Sequence, residues 1–225
     1  MDNATLAIFI HEIRNQCLYT QASFSVFSQS FEQKIHAGVF FSAQSTLLAA
    51  SQLSNLIWPT GPRSKKRGEE VRRVLELDEK HPLNNHRIRT VWDKSDEKLE
   101  KWASETKGGN VVFDHLGDMS QFDPSSFTQE NIYRLYDPTT AIFIFRGDSY
   151  NMQALGKAIA DINGRTLQVH QILFPNHYKE PEVREPDESS NDKVAKKPKS
   201  ETKAKKKTKK KATAKSAKSA KKKKA

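Results

Sequence analysis

The 225-residue chain has a single cysteine, Cys17. No intrachain disulfide can form, so the fold must rest on a packed core, as expected of a cytoplasmic protein, nucleoid-associated or not. No apolar run approaches the roughly 18 residues of a membrane span, and Met1 to Thr5 carries Asp2 and no basic cluster, unlike a secretory leader. There is no glycine-rich phosphate loop and no Ser/His/Asp order of the kind used in acyl transfer. Asp114, His115 and Asp118 lack a second histidine, which argues against a metal site. No cofactor is expected. Between Lys193 and Ala225 there is no aromatic residue and only one acid, Glu201.

What is present divides the chain by charge. Residues 193–225 hold 17 lysines and one glutamate, a net +16, while the whole chain is +11, so residues 1–192 carry −5. The high pI therefore belongs to the arm and not to the part able to fold. Residues 1–175 hold all three tryptophans, Trp58, Trp92 and Trp102, and suffice for one domain of ordinary size. Residues 176–192, with EPEVREPDESSND, read as an acidic linker. The arm has too little apolar bulk to offset the entropy of folding and is expected to be disordered.

The arm's chemistry points to polyanions. Each lysine that meets a phosphate displaces condensed counterions, which gives affinity that depends on salt and ignores sequence. Lysine has no planar fork for reading bases, and nothing in the arm can stack on them. The expected nucleic-acid contacts are Lys205, Lys206, Lys207, Lys209, Lys210, Lys211, Lys221, Lys222, Lys223 and Lys224, with no preference between RNA and DNA. In composition alone the arm resembles the lysine/alanine-rich tails of linker histones.

Residues 1–175 read as mainly helical. Leu6, Ile10, Ile13, Cys17, Phe24, Phe27, Phe31 and Ile35 keep helical spacing and predict a long helix over about residues 4–33, with Asn3 as its cap. A second helix is predicted from Val39 to Trp58, stopped by Pro59. Thr60–Gly68 reads as a basic loop and Glu69–Leu77 as a third helix. Pro82 opens a run through Trp102 with Leu83, Ile88, Val91, Leu99 and Trp102 inward, ended by Lys107-Gly108-Gly109. Val111–Gln129 reads as loop. Ile132–Asp137 and Ala141–Phe145 predict a β-hairpin. A last helix, capped by Asp148 or Ser149, runs to Leu173; a strand over Thr166–Leu173 is the competing reading. Pro175 closes the fold.

The stretch His86-Arg87-Ile88-Arg89-Thr90-Val91-Trp92-Asp93-Lys94-Ser95-Asp96-Glu97-Lys98-Leu99, followed by Trp102, resembles a bacterial branch of the HEPN superfamily. There the segment reads Arg-Asn-x-x-Glu-His-Phe-Asp-Glu-Arg-Leu, with a tryptophan a few residues on. Arg89, Asp96, Glu97, Leu99 and Trp102 match. Ser54–Pro59, Arg67-Gly68 and Val71-Arg72 also resemble that branch, and the similarity spans residues 6–173. The resemblance implies a HEPN-like helical bundle, a homodimer, and descent from metal-independent ribonucleases in which a histidine moves the proton and an arginine steadies the phosphate. The departures fall on the chemistry: Thr90 replaces asparagine and Lys94 replaces the histidine. Lysine, with a reference pKa of roughly 10.4, is a poor base near neutrality. Arg89, Lys94 and Asp96 are therefore the candidate catalytic set of an eroded site, and restoring His at position 94 is expected from the sequence to create cleavage. The sequence-level alternatives are an active metal-independent HEPN ribonuclease and a protein-binding scaffold localised by the arm.

Other polar residues are assigned structural roles. His11, Arg14 and Asn15 read as a solvated helix face. Arg165 and His170 repeat an arginine–histidine spacing that is too common to mark a site. His81 and His86 read as loop histidines, and Cys17 as core.

Overall fold

The computed structural model describes residues 1–106 and 110–178. The glycine break at 107–109, residues 179–192 of the linker, and the arm with Lys205–Lys211 and Lys221–Lys224 lie outside the described residues.

The first helix, α1 (Asn3–Glu32), buries Ile10, Ile13 and Cys17. Its cap is Asp2 rather than Asn3: the Asp2 carboxylate accepts from the Thr5 backbone N–H and hydroxyl, both at 2.8 Å. A tight turn with Lys34 at φ 57° leads into α2 (His36–Ile57). Helix α2 buries Val39, Phe40, Ala43, Leu47, Ala50, Leu53 and Ile57. Its alanines and serines let α1 lie close, because small side chains shorten the distance between helix axes.

Helix α3 (Lys65–Val74) starts four residues before the expected Glu69, so the second half of the predicted basic loop is helical. Gly68 is what this turn requires. A Cβ there would stand 2.5 Å from Pro59 Cδ, so only glycine lets α3 pass the end of α2.

The predicted run from Pro82 to Trp102 is not one helix. A single turn, α4 (His86–Arg89), is followed by a break over Thr90–Lys94 and then by α5 (Ser95–Thr106), with Lys94 in the left-handed region at φ 47°. Two cations brace the break through backbone carbonyls just past the end of α4. Lys98 Nζ donates to Thr90 O, and Arg146 Nη2 donates to Val91 O at 2.7 Å. The resulting change of direction carries Leu99 out to 41% exposure, against the expectation that it is core, while Trp102 stays buried.

The hairpin before the last helix is present within a larger sheet. Strands β1 (His115–Leu116), β2 (Arg134–Asp137), β3 (Ile142–Phe145) and β4 (Asp148–Asn151) lie in that order; β1 and β2 are parallel and the other neighbours antiparallel. In the β2–β3 turn the Asp137 carboxylate accepts from the Thr139 N–H and from both threonine hydroxyls, at 2.6–2.8 Å. Arg146 and Gly147, at φ 50° and 79°, make the two-residue β3–β4 turn, the mirror-image type that suits strand twist. One sheet face joins Phe143, Phe145 and Tyr136 to the helical core; Ile132, Leu135 and Ile144 form a smaller core on the other.

Asp148 and Ser149, the expected caps, belong to β4. Asn151 caps α6 (Met152–Leu173), accepting from the Ala154 N–H at 2.8 Å. Helix α6 is continuous through Asn163-Gly164, which settles Thr166–Leu173 as helix. A 3₁₀ turn over Pro175–Tyr178 then carries the fold past the expected limit at Pro175. All the described residues belong to one compact unit, mainly helical, with α1 packed on α2 and α6.

Candidate functional site

The three residues of the candidate catalytic set fall on different parts of the α4–α5 break. Arg89 ends α4 and points inward. It is 9% exposed, with Nη2 donating to Asn84 Oδ1 at 2.6 Å and Nε lying 3.4 Å from Ser54 Oγ. Its backbone carbonyl accepts from Ser51 Oγ and Asn55 Nδ2. Burial holds its guanidinium below the ordinary arginine pKa, with Glu79 acting in the opposite sense. Lys94 points outward, its Nζ 3.0 and 3.1 Å from the two carboxylate oxygens of Glu97. Asp96 is exposed in the first turn of α5, where the helix dipole favours an acid. Among the described residues no hydrogen bond or ion pair joins Arg89 to Lys94 or Asp96.

A concavity lies beside this segment and is lined by other residues. It is an open cleft of about 850 Å³ between α4–α5 and the β3–β4 hairpin. His86, Arg87, Thr90 and Lys98 border it on one side, Arg146 and Tyr150 on the other. Its cations are largely engaged. Arg87 faces Asp148 at 3.6 Å, and Lys101 faces Glu105 at 3.7 Å. Arg146 donates to the Ser95 carbonyl at 3.0 Å as well as to Val91, and its guanidinium lies 4.4 Å from the Phe145 ring centroid. Burial lowers the pKa of both Lys98 and Arg146. These two are clamps on the backbone. With Glu105, Glu130 and Asp148 on its walls, the cleft has mixed charge and is not a basic groove.

Several residues read as unremarkable in the sequence are brought together. His11 on α1 and His170 on α6, 159 positions apart, approach to 2.9 Å between Nδ1 and Nε2, and His170 Nδ1 lies 2.7 Å from the Tyr178 hydroxyl. Arg14 donates to Asn163 Oδ1. No local signal could have shown this, since it depends on the antiparallel register of α1 against α6. Arg165 is not part of it. Its Nη1 donates to the Glu76 carbonyl at 2.9 Å and its Nε pairs with Asp161 at 3.0 Å, so the Arg165–His170 spacing marks no site.

Three further candidates, His81, Asp114 and Asp118, have structural partners, whereas the buried Nε2 of His115 has no hydrogen-bond partner among the described residues. His81 stacks on Trp58 with centroids 5.2 Å apart, and its Nε2 is 3.6 Å from Asp161. Burial lowers its pKa. Asp114 pairs with Arg134 at 2.6 Å, and Asp118 accepts from the Ser120 N–H. Among the described residues no group of three His, Cys, Asp or Glu side chains is arranged to hold a metal. Cys17 is fully buried, and burial pushes its thiol up to about 12. No helix in the described residues is long and apolar enough to cross a membrane.

Comparison with known proteins finds no matching family model, no matching curated protein and no matching solved structure.

Proposed function

We propose that the protein binds nucleic acid through its lysine-rich C-terminal arm, and that the helical domain is a non-cleaving, HEPN-like module that the arm brings to RNA or DNA. The observation that carries this reading is the density of charge: 17 lysines against one acid in residues 193–225, joined to a domain and linker of net −5. Such an arm neutralises phosphates without reading bases. The geometry of the α4–α5 break favours the non-cleaving form over an active ribonuclease. Arg89 is occupied by Asn84 and Ser54, and Lys94 by Glu97, so neither is placed to act on a shared phosphate.

The test is fluorescence anisotropy with labelled single-stranded RNA and duplex DNA, comparing the full chain with residues 1–180. The shorter protein should lose most binding at moderate salt. The full chain should weaken by about 10³–10⁵ between 50 and 200 mM salt if roughly six to ten phosphates are engaged. Equal affinity for the two proteins would refute the assignment and move the contacts to the exposed cations Arg63, Lys65 and Lys66. Dimerisation, which the HEPN resemblance implies, is read by sedimentation of the same two proteins.

A further inference from the structure

We propose that His11, His170 and Tyr178 form an acid-releasable latch that fastens the last turn of the domain, Pro175–Tyr178, onto α1 and α6. The inference is independent of any nucleic-acid binding. His170 is 3% exposed, and both its ring nitrogens are engaged, one by His11 and the other by Tyr178. The three side chains make one hydrogen-bonded chain across α1, α6 and the turn. Phe174 stacks on His170 with centroids 4.4 Å apart, and His177 lies 5.8 Å from His170 and 6.2 Å from His11. No residue of the turn is itself buried. Its attachment therefore leans on the His170–Tyr178 bond and on the ring contacts around it.

The proton count sets the behaviour of the chain. With both imidazoles neutral it is self-consistent: the Tyr178 hydroxyl donates into His170 Nδ1 and the His170 Nε2–H into His11 Nδ1, or the whole sequence runs the other way. One added proton fits the same geometry. Two do not, because His11 Nδ1 and His170 Nε2 would then both carry hydrogens at a separation of 2.9 Å. The groups facing His170 offer no compensation: His11 and Arg14 from α1, His177 and Tyr178 from the turn, and no carboxylate among the described residues. Arg14 itself pairs with the neutral amide of Asn163.

Burial first, then the neighbouring His11, His177 and Arg14, hold the His170 pKa below its ordinary value of 6.5. Protons thus bind better to the open form than to the closed one. The closed form keeps its full advantage above that ordinary value and loses it as pH falls through the lowered one. Release would free the Pro175–Tyr178 turn from the end of α6. In sequence, the acidic stretch and the lysine arm follow directly.

Hydrogen exchange of the full chain, read by mass spectrometry at pH 7.5 and 5.5 in a chelating buffer and corrected for the intrinsic rate, tests the latch. Residues 174–178 should exchange several-fold faster at pH 5.5 than at pH 7.5, while α2 residues 39–53 stay unchanged. Tyr178→Phe should give fast exchange of the turn at both pH values. His11→Asn keeps a hydrogen-bonding atom near the Nδ1 position but takes up no second proton; it should hold the turn and reduce the pH response to the part that burial of His170 sustains. A turn equally protected at both pH values would overturn the proposal, as would a response undiminished in His11→Asn or one shared by α2, which would mean general acid unfolding.

Discussion

Replacing Arg89 separates a structural arginine from a catalytic one. Arg89→Met keeps most of the aliphatic volume and deletes the guanidinium. The bond lost is Nη2 to Asn84 Oδ1 at 2.6 Å, a charged donor on a neutral acceptor, worth about 1.5–3 kcal/mol. The Nε–Ser54 approach, at 3.4 Å, is too long to add much, and Ser54 keeps its 2.6 Å bond to the Leu83 carbonyl. Against the loss stands relief of burying a cation, the same burial that lowers the Arg89 pKa. The net cost of Arg89→Met should be about 1–2 kcal/mol. Arg89→Ala also removes the packing of two methylenes, Cγ and Cδ, about 0.8 kcal/mol each, and leaves a hole, for a total of about 3–5 kcal/mol. Urea unfolding followed by circular dichroism reads both. At a slope of about 2 kcal/mol per molar, the alanine midpoint should fall by about 1.5–2.5 M and the methionine midpoint by less than 1 M. Arg89→Ala within about 0.5 kcal/mol of the parent would refute the reasoning, since an unchanged stability is what a surface side chain shows. Arg89 would then be free for a ligand.

Two further substitutions probe the same region. Gly68→Ala lies within α3, where the change alone should stabilise by about 1 kcal/mol. The new Cβ would meet the Pro59 ring at 2.5 and 2.9 Å, so a net loss of about 1–3 kcal/mol is expected, and a raised melting temperature would show that the α2–α3 turn yields freely. Lys94→His with Thr90→Asn, expected from the sequence alone to create cleavage, should leave a labelled RNA intact, because Arg89 stays bonded to Asn84 and Ser54. Metal-independent cleavage by that variant, abolished by adding Arg89→Met, would show that the α4–α5 break rearranges around substrate.

The helices were legible wherever one face is apolar over several turns. Ile10, Ile13 and Cys17 in α1 and Leu155, Ile159 and Ile162 in α6 are core positions found by spacing alone. Helices α4 and α5 read as one run in the sequence because a contact that braces the break between them, Arg146 on the Val91 carbonyl, comes from 55 residues away. Strand β4 was missed because Asp148–Asn151 is short and polar, although Arg146-Gly147 ahead of it is a hairpin signal that the sequence does display. The candidate site was legible only as residue types. Whether Arg89 faces water or Asn84 depends on how α4 meets α2, and periodicity over a single turn does not report that.

The cations of the folded domain follow a pattern that bears on function. Arg72 Nη1 donates to the Ile57 carbonyl at the end of α2, at 2.7 Å. Arg165 donates to Leu75 and Glu76 just past the end of α3, at 3.4 and 2.9 Å. Lys98 and Arg146 serve Thr90 and Val91 after α4. Three successive helix ends, none of them followed directly by glycine, are thus braced by positive side chains from outside each helix, which donate to carbonyls there and oppose the negative end of the dipole. An arginine in this chain is accordingly as much a helix stop as a ligand for phosphate, while Arg89 is engaged differently, by the side-chain oxygens of Asn84 and Ser54. Positive charge spent on carbonyl oxygens is unavailable to a polyanion. Residues 1–178 carry 19 Lys and Arg against 20 Asp and Glu, and residues 179–192 add a net −4, so neither draws a polyanion at long range, and the 17 lysines after residue 192 are the one segment with the charge density to do so.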